Sequence, residues 1–295
     1  MVRLERIDED IIKEIKYLLK EEDSVSYEVA KIRKSFIGQI NNEIAPALPD
    51  VYGKNGVNLF KTSVNNNILN NSINIHYTIL QAKDKSCLLK GLTEDSFKNI
   101  NSFNIDSNTL EESLNLFICF IGKSLYFEGC NFSHEIEHAY QHFCKKNSIK
   151  DYNPTIKDKT NYNKFFDLMN SSDNIEKYIG IIGYLSTYSE QDAFIQGLVE
   201  ELDGVTDSNV YIKYEKSETR IILNNYQQSI QLLLKKYNDK GLKEKIDNVC
   251  FSCGMTFNSF IKNGQVGLKR FEGKIGKVLK HFFESNKTIF EKIDE

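Results

Sequence analysis

Phe132-Ser133-His134-Glu135-Ile136-Glu137-His138-Ala139-Tyr140-Gln141-His142-Phe143 is the stretch from which the rest of the chain can be read. Phe132, Ile136, Ala139, Tyr140 and Phe143 recur at helical spacing and make one apolar stripe, while His134, His138 and His142 fall on the opposite side. The segment is expected to be one amphipathic helix with a face in the core. Asn131 or Ser133 can cap its start, and Lys145 and Lys146 suit the negative end of its dipole. Positions i and i+4 lie one turn apart with Cβ atoms about 5–6 Å from each other, so His134 and His138 can point at one cation. Zinc is the expected ion. Glu135, one step round the helix, then lies beside the ion and is placed to take a proton from a water that the ion activates.

With five His in 295 residues, a chance HExxH should turn up in about one such chain in a hundred, and a core-satisfied or solvated His pair is the alternative. A catalytic zinc usually takes three protein ligands. His142 lies about 12 Å along the axis from His134 at 1.5 Å per residue, so a straight helix cannot bring all three rings to one ion. Glu190 is the preferred third ligand. It sits in Tyr188-Ser189-Glu190-Gln191-Asp192-Ala193-Phe194-Ile195-Gln196-Gly197, where Ala193 and Gly197 share its helical face and leave room for close approach. Thr187-x-x-Glu190 also fits a capping box, the competing role for Glu190. Glu200 and Glu201, near an expected helix end at Leu202-Asp203-Gly204, suit a solvated face, and Asp192 and His76 have no spacing in their favour.

His134-Glu135-x-x-His138 on one helix, followed by Glu190-x-x-Ala193 on a later one, resembles the gluzincin branch of the zincin-like metallopeptidases. The resemblance covers these two helices and the strand before the first. It implies His134, His138 and Glu190 as ligands of one zinc ion, Glu135 as general base and acid, and hydrolysis of peptide bonds in a peptide or protein substrate. His138-Ala139-Tyr140-Gln141 is also similar to small zincin-like proteins, some of them phage-encoded. The implied fold is α+β and zincin-like, a small, mostly antiparallel sheet packed on the metal-binding helix. An oxyanion formed in such a reaction needs a second donor, commonly Tyr or His. Tyr188, and behind it Tyr184, are nearest to Glu190 in sequence, with packing as their alternative role in a chain of 15 tyrosines. The competing function class is a non-catalytic binding or structural protein, such as a virion or assembly component, that keeps the fold without turnover.

Composition bounds the remainder. A 40% hydrophobic share supports a real core, and a net charge of −3 with Lys and Arg spread along the chain offers neither a nucleic-acid groove nor a membrane patch. The start lacks an apolar signal region and no stretch approaches a spanning length, so a cytoplasmic protein is expected, or a virion-associated one if phage-encoded. The six cysteines form no disulfide framework. Cys250-Phe-Ser-Cys253 is an isolated CxxC, and reduced core thiols are the default.

Along the chain, a helix is expected over 8–20, with Ile11, Ile15, Leu18 and Leu19 on one face. A second should fill 26–44 until Pro46 and Pro49 stop it. Residues 50–72, rich in Asn and Gly, read as a long loop. Ile73, Ile75, Tyr77 and Ile79 alternate with Asn74, His76 and Thr78 as in a half-buried strand, leaving His76 outward. Residues 116–127 suggest a hairpin turning at Gly122-Lys123, with helix to residue 121 as the alternative, and the strand of the hairpin could offer a substrate-binding edge. Residues 150–165 read as a loop, and the chain beyond Gly204 as mostly helical through 294. Residues 1–205 are thus expected to form a zincin-like domain with a helical preface, and 206–295 a helical subdomain that covers the site or serves assembly.

Overall fold

The computed structural model describes residues 27–53, 55–92, 101–106, 108–128, 131–147, 159–203, 205 and 207–291. The helix expected over 8–20 lies outside them. The fold is α+β, and it divides into a sheet unit, Ser26–Tyr152, and a helical unit that includes Asn153–Glu295.

The sheet unit opens with α1 (Tyr27–Gln39), whose ladder widens into a π turn over Ile40–Ile44 and ends in a last turn, Ala45–Ala47. The widening falls just before Pro46, whose nitrogen cannot donate to the ladder. Leu48, which precedes Pro49, is already extended at ψ 138°. Next come β1 (Val57–Ile68), β2 (Asn71–Ala82), α2 (Lys85–Leu92), β3 (Ser102–Ile105), β4 (Glu112–Ile121), β5 (Ser124–Phe127) and α3 (Phe132–Lys146).

The sheet is small and mixed. Its order is β1-β2-β4-β3, with β5 also paired to β4. The pairs β1–β2, β3–β4 and β4–β5 are antiparallel and the central pair β2–β4 is parallel.

Residues 57–68 are strand rather than the loop expected over 50–72. Asn65, Asn66 and Asn67 lower the local β-propensity and hide an alternation in which Lys61, Ser63, Asn65 and Asn67 are exposed while Phe60, Thr62, Val64 and Asn66 are half-buried and Ile68 is buried. Pairing with all of β2 outweighs that propensity. Leu69 and Asn70 make the turn at φ 49° and 64°.

β2 alternates as read, with Ile73, Ile75, Tyr77 and Ile79 buried and His76 exposed, its Nδ1 2.7 Å from Ser63 Oγ across the ladder. The hairpin also forms as read, with Gly122 first in its turn at φ 63°.

β4 explains its own composition. Leu114, Leu116, Ile118 and Phe120 join the core shared with α1 and α3, while Phe117 and Cys119 pack with Leu88 of α2 on the other face. A strand covered on both faces reads as a continuous apolar run.

The helical unit consists, among the described residues, of α4 (Lys159–Met169), α5 (Asn174–Leu185), α6 (Tyr188–Leu202), α7 (Asp207–Glu215), α8 (Glu218–Tyr237), α9 (Lys240–Ser252) and α10 (Phe257–Glu291). The loop expected over 150–165 gives way to helix from Lys159, and its earlier residues lie outside the described set. Phe165 supplies the reason: it is buried in the helical core against α5, where a Cβ on Gly183 would come within 2.2 Å of its ring. Side chains start several of these helices. Asp173 accepts from the amides of Ile175 and Glu176, Ser217 from Arg220, and Asp239 from Gly241. No described helix is long and apolar enough to cross a membrane.

Candidate metal centre

The amphipathic reading of α3 holds in detail. Phe132, Ile136, Ala139 and Phe143 are fully buried in the core with the inward residues of β2 and β4. Asn131 occupies the cap position without a side-chain capping bond, while the backbone amide of Glu135 donates to its carbonyl. At the other end Glu112, the first residue of β4, accepts from Lys146 Nζ at 2.8 Å and meets His142 Nε2 at 3.2 Å. Burial alone would raise the Glu112 carboxyl, but the hydrogen bonds from Lys146 and His142 outweigh it and hold the group below its ordinary range. His142 thus ties the helix to the sheet.

His134 and His138 face each other. Their Nε2 atoms are 3.1 Å apart, with ring centroids at 4.6 Å and ring planes nearly perpendicular at 87°. Two nitrogens on one four-coordinate ion, each about 2.0–2.1 Å from it, are separated by about 3.3 Å, so the pair is already at the spacing of two ligands.

Glu190 completes a group. One ligand atom from each of His134, His138 and Glu190 lies within 4.8 Å of the others, and His134 and Glu190 are buried. Among the described residues this is a buried His, His, carboxylate cluster suited to a metal ion. Of the residues weighed from sequence, His134, His138 and Glu190 come together, and His76, His142 and Asp192 do not join them.

The capping role weighed for Glu190 does not form. Thr187 holds the cap position of α6, but both its hydroxyl (2.8 Å) and its amide (3.2 Å) donate to the carbonyl of Tyr184, so the cap amide is already satisfied. The first turn of α6 is instead fixed by side chains to α10. The Gln191 amide nitrogen donates to the carbonyls of Leu185 and Gly267, and its oxygen accepts from Arg270 Nε at 2.7 Å. Arg270 also donates to the Ser186 carbonyl and stacks 3.5 Å over the Tyr188 ring. Asp192 pairs with Lys274 Nζ at 2.5 Å. Glu201 accepts from the amide of Glu218, at the start of α8.

Glu135 is half-buried, and its Oε2 accepts from the amide of Phe103 at 2.8 Å. That contact comes from β3, a strand the sequence reading did not assign. Ser102-Phe103-Asn104-Ile105 alternates polar and apolar, but over four residues a period of two is too short to separate from a loop. In an antiparallel ladder alternate residues turn both backbone groups to the partner strand. The Phe103 amide goes to Glu135, so Ser102 and Asn104 face β4 while Phe103 and Ile105 present their backbone to the open edge. Two further residues on α3 escaped the sequence reading. Gln141 Nε2 donates to Glu137 Oε1 at 3.0 Å, and Gln141 Oε1 lies 3.4 Å from His138 Nδ1. The i, i+4 spacing of Glu137 and Gln141 was visible, but nothing in sequence showed both turning inward.

The Cys250-x-x-Cys253 pair consists of free, buried thiols, and burial pushes Cys250 up to about 12 and raises Cys253. Both are therefore inert at neutral pH. No known protein family, curated protein sequence or solved structure matches this chain.

Proposed function

We propose that this protein is a zinc-dependent peptidase of the zincin-like, gluzincin type, in which His134, His138 and Glu190 hold one zinc ion. The single observation that carries the reading is the buried approach of those three side chains, with the two Nε2 atoms 3.1 Å apart. Two imidazoles and one carboxylate are a common donor set of catalytic zinc, which leaves a fourth position open. Zinc so held supplies Lewis acidity that polarises a carbonyl and makes water a better acid.

The remaining chemistry falls to the chain. Glu135, next to the first ligand, takes a proton from the attacking water and returns it to the leaving amine. The Phe103 amide donates to Oε2 of Glu135 and so helps to orient the carboxylate for that transfer. Tyr188, two residues before Glu190, is the candidate donor to the oxyanion, with Arg270 bracing its ring. The substrate is a peptide or protein.

The test is a peptide-cleavage screen on zinc-loaded protein beside two variants. Glu135→Gln should bind zinc like the wild type and lose cleavage by about 10²–10⁴-fold, the range for removing a general base. His138→Ala should lose both zinc and cleavage. Chelation should stop cleavage and added zinc restore it. Equal cleavage by wild type and Glu135→Gln removes the enzymatic reading, and zinc bound without any cleavage favours a binding or structural protein.

A further inference from the structure

We infer that Gln141, held by Glu137, is a positioning residue that fixes the tautomer of His138 and so presets its Nε2 as a metal ligand. This rests on the proposed His134, His138, Glu190 centre and adds to it two residues on the ligand helix.

Glu137 is 1% exposed. Gln141 Nε2 donates to Glu137 Oε1 at 3.0 Å, the carboxyl oxygen being the acceptor that an amide NH2 needs. The carbonyl end, Oε1, then faces His138 Nδ1 at 3.4 Å. A carbonyl cannot donate, so the proton between them belongs to Nδ1. A neutral imidazole carries one proton, which leaves Nε2 bare. This bare nitrogen is the atom that lies 3.1 Å from His134 Nε2 and within the ligand group.

The geometry of the helix makes the relay local. His138 and Gln141 are three residues apart, and Gln141 and Glu137 four, so all three side chains meet on neighbouring turns of α3. A free imidazole divides between two tautomers, and one of them places its proton on the ligating nitrogen. Partners of this kind also fix the ring orientation, and their loss typically costs 10–100-fold in metal affinity. Gln141 is 7% exposed, so water has little access to replace it.

The experiment uses full-length protein and zinc alone, measured by competition with a chromophoric chelator, for wild type, Gln141→Met and His138→Ala. Methionine keeps the length of the side chain and cannot accept the Nδ1 proton. Gln141→Met should weaken zinc about 10–100-fold while keeping the wild-type far-UV circular dichroism. A second readout is the tautomer itself in metal-free protein, from long-range ¹H–¹⁵N correlation of the His138 ring. The wild type should show the proton on Nδ1, and Gln141→Met should show a mixture or the opposite form. Equal zinc affinity in Gln141→Met and wild type, or a wild-type His138 with its proton on Nε2, overturns the inference and leaves the metal centre standing. Wild-type protein that binds no zinc, or His138→Ala that binds it as tightly as wild type, overturns the centre and the inference together.

Discussion

Replacing Phe143 by alanine tests whether docking on the sheet, rather than the helix's own propensity, holds the His pair in place. Phe143 is fully buried in the core that α3 shares with β2 and β4, and its ring meets that of Phe103 edge-on at 6.4 Å between centroids. Truncating a fully buried Phe costs about 3–5 kcal/mol from lost transfer energy and the cavity left behind. Alanine's better helix propensity returns at most about 0.7 kcal/mol. A net loss of about 3–4 kcal/mol is expected, a large part of the roughly 5–15 kcal/mol that a folded domain has. With a urea slope of about 2–3 kcal/mol per molar, the unfolding midpoint should fall by about 1.5 M. The assay is urea unfolding followed by far-UV circular dichroism and by tyrosine fluorescence, since the chain has no Trp. Val51→Ala, at a side chain 77% exposed, is the control and should stay within about ±0.5 kcal/mol. A midpoint for Phe143→Ala within the error of that control refutes the reasoning, because α3 would then stand without the contact assigned to it.

Two further outcomes concern the helical unit and the buried thiols. Asp173 caps α5 and accepts from Lys245 at 2.6 Å, and that hydrogen bond is the main cause of its lowered pKa. Asp173→Ala should cost about 0.5–2 kcal/mol at neutral pH. A depressed carboxyl contributes its share above the ordinary carboxylate range and loses it as pH falls through the folded value, so the gap between wild type and variant should narrow in acid; a gap that stays constant from pH 7 to 2 contradicts this. For Cys119 and Cys250, burial raises the thiols from an ordinary 9.0 to about 12. Their contribution is complete below about pH 9 and lost as pH rises toward 12, because the unfolded chain releases its thiol protons first. The urea midpoint should therefore drop between pH 8 and 10.5, and drop less in a Cys119→Ala, Cys250→Ala double variant; identical drops exclude the thiols as the cause.

Much of the fold was legible where pattern and burial coincide. The stripe of α3 has four residues at 0% exposure, and the alternation of β2 runs unbroken from Ile73 to Ile79. The hairpin at Gly122 was legible because a turn residue punctuates two apolar runs. β1 was lost because Asn65, Asn66 and Asn67 lower its β-propensity and Asn66 takes an inward position beside Phe60, Thr62 and Val64. β3 was too short to signal at all. At the start of α6, Thr187 and Glu190 matched a capping box that a local carbonyl pre-empted, since Tyr184 takes both hydrogen bonds from Thr187.

By itself the sequence determined that His134 and His138 share a helix face, that Glu135 sits beside them, and that the opposite stripe must be buried, all consequences of 3.6 residues per turn. Only the tertiary structure decided the rest. It brought ligand atoms of Glu190, His134 and His138 within 4.8 Å of one another, set the amide of Phe103 on Glu135, and turned Gln141 toward both His138 and Glu137. A helix repeat fixes which side chains of one segment are neighbours. Which distant segment meets them depends on how whole faces pack, and no local period records that.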